Sequence, residues 1–288
     1  MKIIDMRLRP PIPAWTDGPT FRTAMYFPRK IPNLPGARSA WDEDLDELFV
    51  EMDRASIVKG VVIGRASVGA GNLGGVTNQA IVDCVDEYPD RFVGFLGVDL
   101  EAIDESLAEI RKMHSHENIK GVSIEPGSAK VARYSDDDSL TPIYELCIDL
   151  GLPVSISLSG LLSALGGHDI SWSDPISVQR AAMKFPELTI IVSHAAYPYA
   201  VEMVTVAMYC ENIYVSPDLY IATKNMPGAT PYIEAANLYL EDRMLFGTAY
   251  PTRPLGDCVR DFMEMGWRPE IIDKILYGNA AKLLGIDD

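Results

Sequence analysis

Apolar runs rich in Val and Ile recur along this chain at 2–9, 59–66, 92–99, 120–126, 153–159, 188–194, 213–218 and 244–249. They are continuous rather than alternating, as expected of strands buried on both faces of a parallel sheet. Between them apolar positions fall at helical spacing, as in Leu45, Leu48, Phe49 and Met52, or Ile81, Val82 and Val85, with acidic residues opposite. A third such segment, Ile143, Leu146, Cys147 and Leu150, stops at Gly151, a helix-ending residue. Eight strands alternating with helices predict one (β/α)8 barrel over residues 1–288, with a doubly wound open sheet as the alternative. The even spread of the eight units favours closure.

One stretch breaks the rhythm. Residues 10–40, rich in Pro and Gly, read as a long irregular loop after strand 1, which puts them at the C-terminal face, where barrels of this kind carry their active sites. A lid, a surface excursion and a subunit contact all suit that composition. No internal repeat, low-complexity segment or domain boundary is visible.

The net charge of −16 argues against nucleic acid or an anionic membrane as partner, since both call for a basic footprint. Cys84, Cys147, Cys210 and Cys258 are dispersed without a Cys-x-x-Cys spacing, which suits small core residues in a reducing compartment. No apolar run approaches the roughly 18 residues of a spanning helix, and no signal peptide is seen, so a soluble cytoplasmic protein is expected.

Against an acidic exterior, the charge gathered at the strand tips stands out. Arg7, Arg9, Arg65, Asp99, Glu125, Ser157, His194, Asp218, and Ala249 with Tyr250 would converge on one mouth. Buried charges are costly unless paired or bound to ligand, so the set reads as a site or as a structural ion-pair network. Arg7 and Arg9 lie one strand repeat apart on the same face and are expected to grip an anion, with Arg65, Ser157 and Tyr250 as further contacts.

The full chain resembles the amidohydrolase-2 family of metal-dependent hydrolases and aromatic-acid decarboxylases. The resemblance rests on Ile4-Asp5 and the interrupted motif after it, on 152–157, on 188–194, on 243–251 and on the closing Gly278-Asn279-Ala280. It implies a metal-bearing barrel, and the departures are as informative as the matches. The family's strand-1 His-x-His pair falls on Arg7 and Arg9, and its strand-5 histidine near Ser157 or Leu158. Its strand-6 histidine is present as His194, and its strand-8 aspartate falls on Ala249. Arginine stays protonated and offers a metal no lone pair, so the family's metal-hydroxide chemistry cannot run unchanged.

Three readings remain open. A divalent ion, zinc or iron, is held by a new set, Glu125, His194 and Asp218; this is the working expectation. Alternatively the site is metal-free, with arginines binding a carboxylate or phosphate, His194 moving a proton, and Asp218 or Glu125 orienting it. In the third, the chain is a diverged partner subunit of a mixed oligomer. Under the first two the expected reaction is hydrolysis or C–C lysis of a small carboxylate-bearing substrate.

Other motifs read more plainly. His114 and His116 fit a solvated helix end on the opposite face, and His168 a loop on the active face. The glycines of 69–75 lack the order and the lysine of a phosphate cradle. Trp15, Tyr26, Phe27, Tyr197, Tyr199 and Tyr220 suit either a pocket wall or core packing. The segment 199–210 is apolar nearly all round, which predicts burial on one side by the barrel and on the other by a homo- or hetero-oligomeric partner.

Overall fold

The computed structural model describes residues 1–26, 34–65 and 74–286, apart from the side chains of Thr20 and Tyr26. Seven strands form one parallel sheet in sequence order: β1 (Ile3–Leu8), β2 (Ile57–Ile63), β3 (Phe92–Gly97), β4 (Ile119–Ile124), β5 (Val154–Ser159), β6 (Ile190–Tyr197) and β7 (Ile213–Ser216). β1, β3 and β5 are buried at every position, which is why their apolar runs carry no alternation.

The eighth run closes the barrel without forming a full ladder. Val215 in β7 donates to the Arg243 carbonyl at 2.8 Å and accepts from Leu245 N at 2.9 Å; on the other side Met6 N donates to the Phe246 carbonyl at 3.0 Å. Its one parallel bridge among the described residues is Val215 to Met244. Asp5 completes the seam: its carboxylate accepts from Thr248 N at 2.9 Å and Thr248 Oγ1 at 2.5 Å. Thus the expected (β/α)8 barrel stands, with the eighth strand reduced to a seam.

Helices cover the sheet with the predicted stripes inward. Leu48 and Met52 are buried in helix Leu45–Arg54, which Asp44 caps by accepting from Glu47 N. Helix Thr141–Leu150 ends at Gly151 with φ 64°, the left-handed conformation that made glycine the stop signal. The four cysteines are buried and unpaired. No helix among the described residues is long and apolar enough to cross a membrane.

The expectation of an irregular 10–40 is corrected. The chain forms α1 (Pro13–Thr16), α2 (Pro19–Tyr26) and a short helix at Arg38–Trp41. Pro13 and Pro19 open their helices, where a missing N–H costs nothing and a fixed φ helps. The prolines that read as breakers are starters here. Phe27, residues 66–73 of the glycine-rich loop and the rest of 27–33 lie outside the described residues.

Candidate functional site

Two residues past each strand is enough to carry a side chain from the sheet to the barrel mouth, and four charged groups arrive that way or from the strands themselves. Arg7 lies within β1, and Arg9 just beyond it. Glu125 is the first residue after β4. Arg65 follows β2 and is held by an antiparallel bridge to Val76, whose N donates to the Arg65 carbonyl at 2.7 Å.

Glu125 gathers two of these cations. Its Oε1 lies 3.1 Å from Arg7 NH2 and its Oε2 2.5 Å from Arg65 NH2. Burial pushes its pKa up, but Arg65 and Arg7 outweigh that and hold it below its ordinary value. Arg7 is fixed further by its NH1, which donates to Ser157 Oγ at 2.9 Å. Arg9 differs. Its hydrogen bond is a long one of 3.5 Å from NH1 to the Tyr250 carbonyl, and it forms no ion pair among the described residues. Burial, Arg7 and Arg65 push its pKa down to about 9. That still leaves it charged at neutral pH, and the strain is of the kind a bound anion relieves.

Three guanidiniums therefore face one firmly ionised carboxylate. Of the two arginines expected to grip an anion, Arg7 is paired with Glu125 and Arg9 is not. Beside them lies a small cavity of about 20 Å³, lined by Arg7, Arg9, Arg65, Glu125, Trp15 and Phe21 among others.

A second pair sits deeper. His194 Nδ1 lies 3.1 Å from Asp218 Oδ2, the same oxygen that accepts from His194 N at 3.1 Å, and Ser216 Oγ donates to Asp218 Oδ1 at 2.6 Å. Burial first, then Arg7, Arg9 and Arg65, hold the imidazole pKa well below 6.5, so it is neutral at pH 7. Burial raises Asp218 despite Arg7 and its hydrogen bonds. The backbone is bent to aim this pair. His194, Ala195 and Ala196 have φ of 62°, 46° and 56°, and Asp218 has 53°. Non-glycine residues held there cost on the order of 1–3 kcal/mol each, a strain that clusters at functional sites. Gly247 makes room: a Cβ there would meet Asp218 Oδ1 at 2.6 Å.

Other expectations raised by the residue pattern are revised. The Tyr250 ring is turned into the core, where its hydroxyl shares a 2.8 Å hydrogen bond with Ser39 Oγ; only its carbonyl meets Arg9. Its proposed contact with substrate is corrected on that ground. Asp99 caps a turn by accepting from Glu101 N at 3.0 Å. His168 bonds the Ala129 carbonyl at 2.8 Å, and His116 pairs with Asp86 at 3.2 Å. Ala249, expected at the position of the family's strand-8 aspartate, packs with Leu219 and Tyr220. Tyr220 stacks on Tyr197 with centroids 3.9 Å apart and presents an edge to His194 at 6.1 Å. Asp5, whose pKa burial lifts to about 7, turns out to be the clamp of the closing seam.

A family model described as amidohydrolase matches residues 10–286. The chain belongs to the amidohydrolase family. The matched span begins just after Arg9, so the strand-1 stretch with Arg7 and Arg9 falls outside it. An uncharacterised TIM-barrel protein from Bordetella bronchiseptica is 35% identical, with a TM-score of 0.87 over 99% of both chains. A 2-amino-3-carboxymuconate-6-semialdehyde decarboxylase of Dictyostelium discoideum is 25% identical, over 73% of this chain and 66% of that protein's length. The fold is shared with a 5-carboxyvanillate decarboxylase of Novosphingobium aromaticivorans complexed with manganese, at 17% identity and a TM-score of 0.67, over 99% of this chain and 96% of the other.

The donor set of this amidohydrolase does not fit such an ion. Arg7, Arg9 and Arg65 line this mouth, and a cation beside them is repelled. Ser157 is occupied by Arg7, and both Glu125 oxygens lie against arginines. Among the described residues no group of three or more His, Cys, Asp or Glu is arranged to hold a metal. The expected ligand trio is corrected accordingly: Glu125 belongs to the arginines, which leaves His194 with Asp218 alone.

Proposed function

We infer that this chain is a hydrolase of a small ester or amide that carries a carboxylate, and that it works through its own side chains rather than through the family's metal. The carboxylate is the handle and Arg9 the group that binds it. Neutral His194 takes a proton from water at Nε2. Asp218, 3.1 Å from Nδ1, stabilises the imidazolium that forms, which returns its proton to the leaving alcohol or amine as the scissile C–O or C–N bond breaks. The oxyanion of the tetrahedral intermediate gains from the positive field of Arg7 and Arg65. The observation that carries this reading is the separation of roles: a cationic cluster with an excess of guanidinium beside a neutral histidine whose Nδ1 lies 3.1 Å from Asp218.

Decarboxylation is the second reading, favoured by the name of the Dictyostelium relative. It is disfavoured by electrostatics. A guanidinium clamp stabilises a carboxylate in the ground state, whereas leaving as CO2 discharges it, so the clamp would work against the reaction.

The test uses protein purified without added metal, a panel of carboxylated lactones, esters and amides, and carboxylated phenols for comparison. Acid release that survives chelation and is lost in Arg9→Met and His194→Asn is the expected result. Activity that vanishes with chelator and returns with manganese, or release of CO2 in place of acid, would overturn the reading.

A further inference from the structure

The cavity beside Arg9 has a roof that the hydrolytic reading leaves unused. Pro10, Pro11 and Pro13 stiffen the chain as it leaves β1, and α1 is wound tightly, with the Ile12 carbonyl accepting from both Trp15 N and Thr16 N at 2.9 Å. This fixes the Trp15 indole in the cavity wall, 3% exposed. The roof is packed from the other side as well. Gly74, with φ 66°, abuts Pro19 so closely that a Cβ would meet the proline ring at 2.6 Å.

Two donors on residues lining this cavity have no hydrogen-bond acceptor among the described residues, Trp15 Nε1 and Arg7 Nε, and both are buried. Native proteins rarely leave buried N–H groups unpaired, and such orphans mark the place of a bound partner. The acceptor nearest in kind, Glu125, is taken by the Arg7 and Arg65 head groups. What the cavity lacks is therefore an oxygen acceptor with negative charge, and it has Arg9 to balance that charge. Leu8, Phe21, Ile63 and Val76 supply apolar walls, which strengthen any charge-assisted hydrogen bond made between them. At about 20 Å³ the space admits one water-sized group. One oxygen of a carboxylate enters it, and the rest of the molecule lies outside.

We propose that Trp15 is a substrate-positioning residue: its indole N–H and the Arg9 guanidinium form a carboxylate subsite that anchors the substrate for the His194–Asp218 pair. This rests on the hydrolytic reading for its consequence in turnover, but binding tests it separately. The probe is acetate, with acetamide as the neutral control, followed by NMR of the indole N–H groups in the wild-type protein. Trp15 is assigned by elimination with Trp41→Phe, Trp172→Phe and Trp267→Phe. Acetate, and not acetamide, should move the Trp15 Nε1–H signal. Trp15→Phe, which keeps an aromatic ring and removes the donor, should weaken acetate about tenfold to a hundredfold. With a turned-over substrate the same change should raise KM and spare kcat.

An unmoved Trp15 signal on acetate binding, or Trp15→Phe that binds acetate as well as wild type, overturns the subsite. If Arg9→Met still loses acetate in that case, the anion-handle reading survives the failure. If Arg9→Met also binds normally, or wild type binds no acetate at all, both fall. Tighter binding of inorganic phosphate than of acetate overturns the carboxylate assignment.

Discussion

Replacing Glu125 with Gln tests the electrostatic design at its centre. The carboxylate is nearly inaccessible and lies 3.1 Å and 2.5 Å from two guanidiniums that are themselves buried. At an effective dielectric constant of about 20, those contacts are worth roughly 5 and 7 kcal/mol before desolvation. Desolvation cancels much of this, so the pair is no evidence of net stabilisation over an apolar core. Removing one partner is a different matter, because Arg7 and Arg65 are left buried, charged and mutually repelling. The expected loss is about 3–5 kcal/mol. Taking about 2 °C per kcal/mol for a chain of this size, the midpoint should fall by roughly 6–10 °C. Urea unfolding and calorimetry measure both. The pH dependence has a definite sign. Arg65 and Arg7 hold Glu125 below its ordinary 4.5, so its contribution is complete above that value and is lost as pH falls through the folded-state pKa. The gap between wild type and Glu125→Gln should stay flat from about pH 8 to 5 and narrow below. A loss under about 1 kcal/mol, or a gap that widens in acid, would refute the assignment of Glu125 as the counter-ion of both arginines.

Further outcomes follow from the same geometry. Because burial and three guanidiniums depress His194, the rate should depend on an imidazole that stays neutral well below pH 6.5, so the acid limb of the pH–rate profile should fall below that value; an inflection at or above 6.5 would count against His194 as the base. Asp218→Asn should lower kcat about 10²- to 10⁴-fold while leaving carboxylate binding in place. Helix Ala200–Tyr209 buries Met203, Val206 and Ala207 but exposes Val201, Met208 and Tyr209, with Leu238 80% exposed on a neighbouring helix. We propose that a second subunit covers this face; sedimentation should find an oligomer at micromolar concentration that Tyr209→Glu dissociates, and a wild-type monomer would refute it.

The barrel was legible because burial on both faces writes itself into sequence as uninterrupted apolar runs, and seven of the eight runs are strands. The eighth, 244–249, reads like the others but has no ladder, since its partners in β7 and β1 offer only a few correctly spaced groups and Asp5 supplies the remainder. Composition cannot distinguish a strand from a buried seam. The prolines of 10–40 were legible as stiff turns. That they open helices and seat Trp15 in a wall depends on what those helices pack against.

The sequence by itself determined the fold class and the gathering of arginines at the strand tips, because residue type settles whether a side chain can be buried cheaply or must remain charged. It also marked His194 with either Asp218 or Glu125 as its acidic neighbour. Only the tertiary structure decided how the charges divide. Glu125 could serve a metal or an arginine equally well, and its 3.1 Å and 2.5 Å contacts assign it to Arg7 and Arg65. Arg9 is left without a counter-ion among the described residues, and the Tyr250 ring faces away from it. Pairing depends on angstrom-scale distances between residues far apart in the chain, and local sequence carries no record of them.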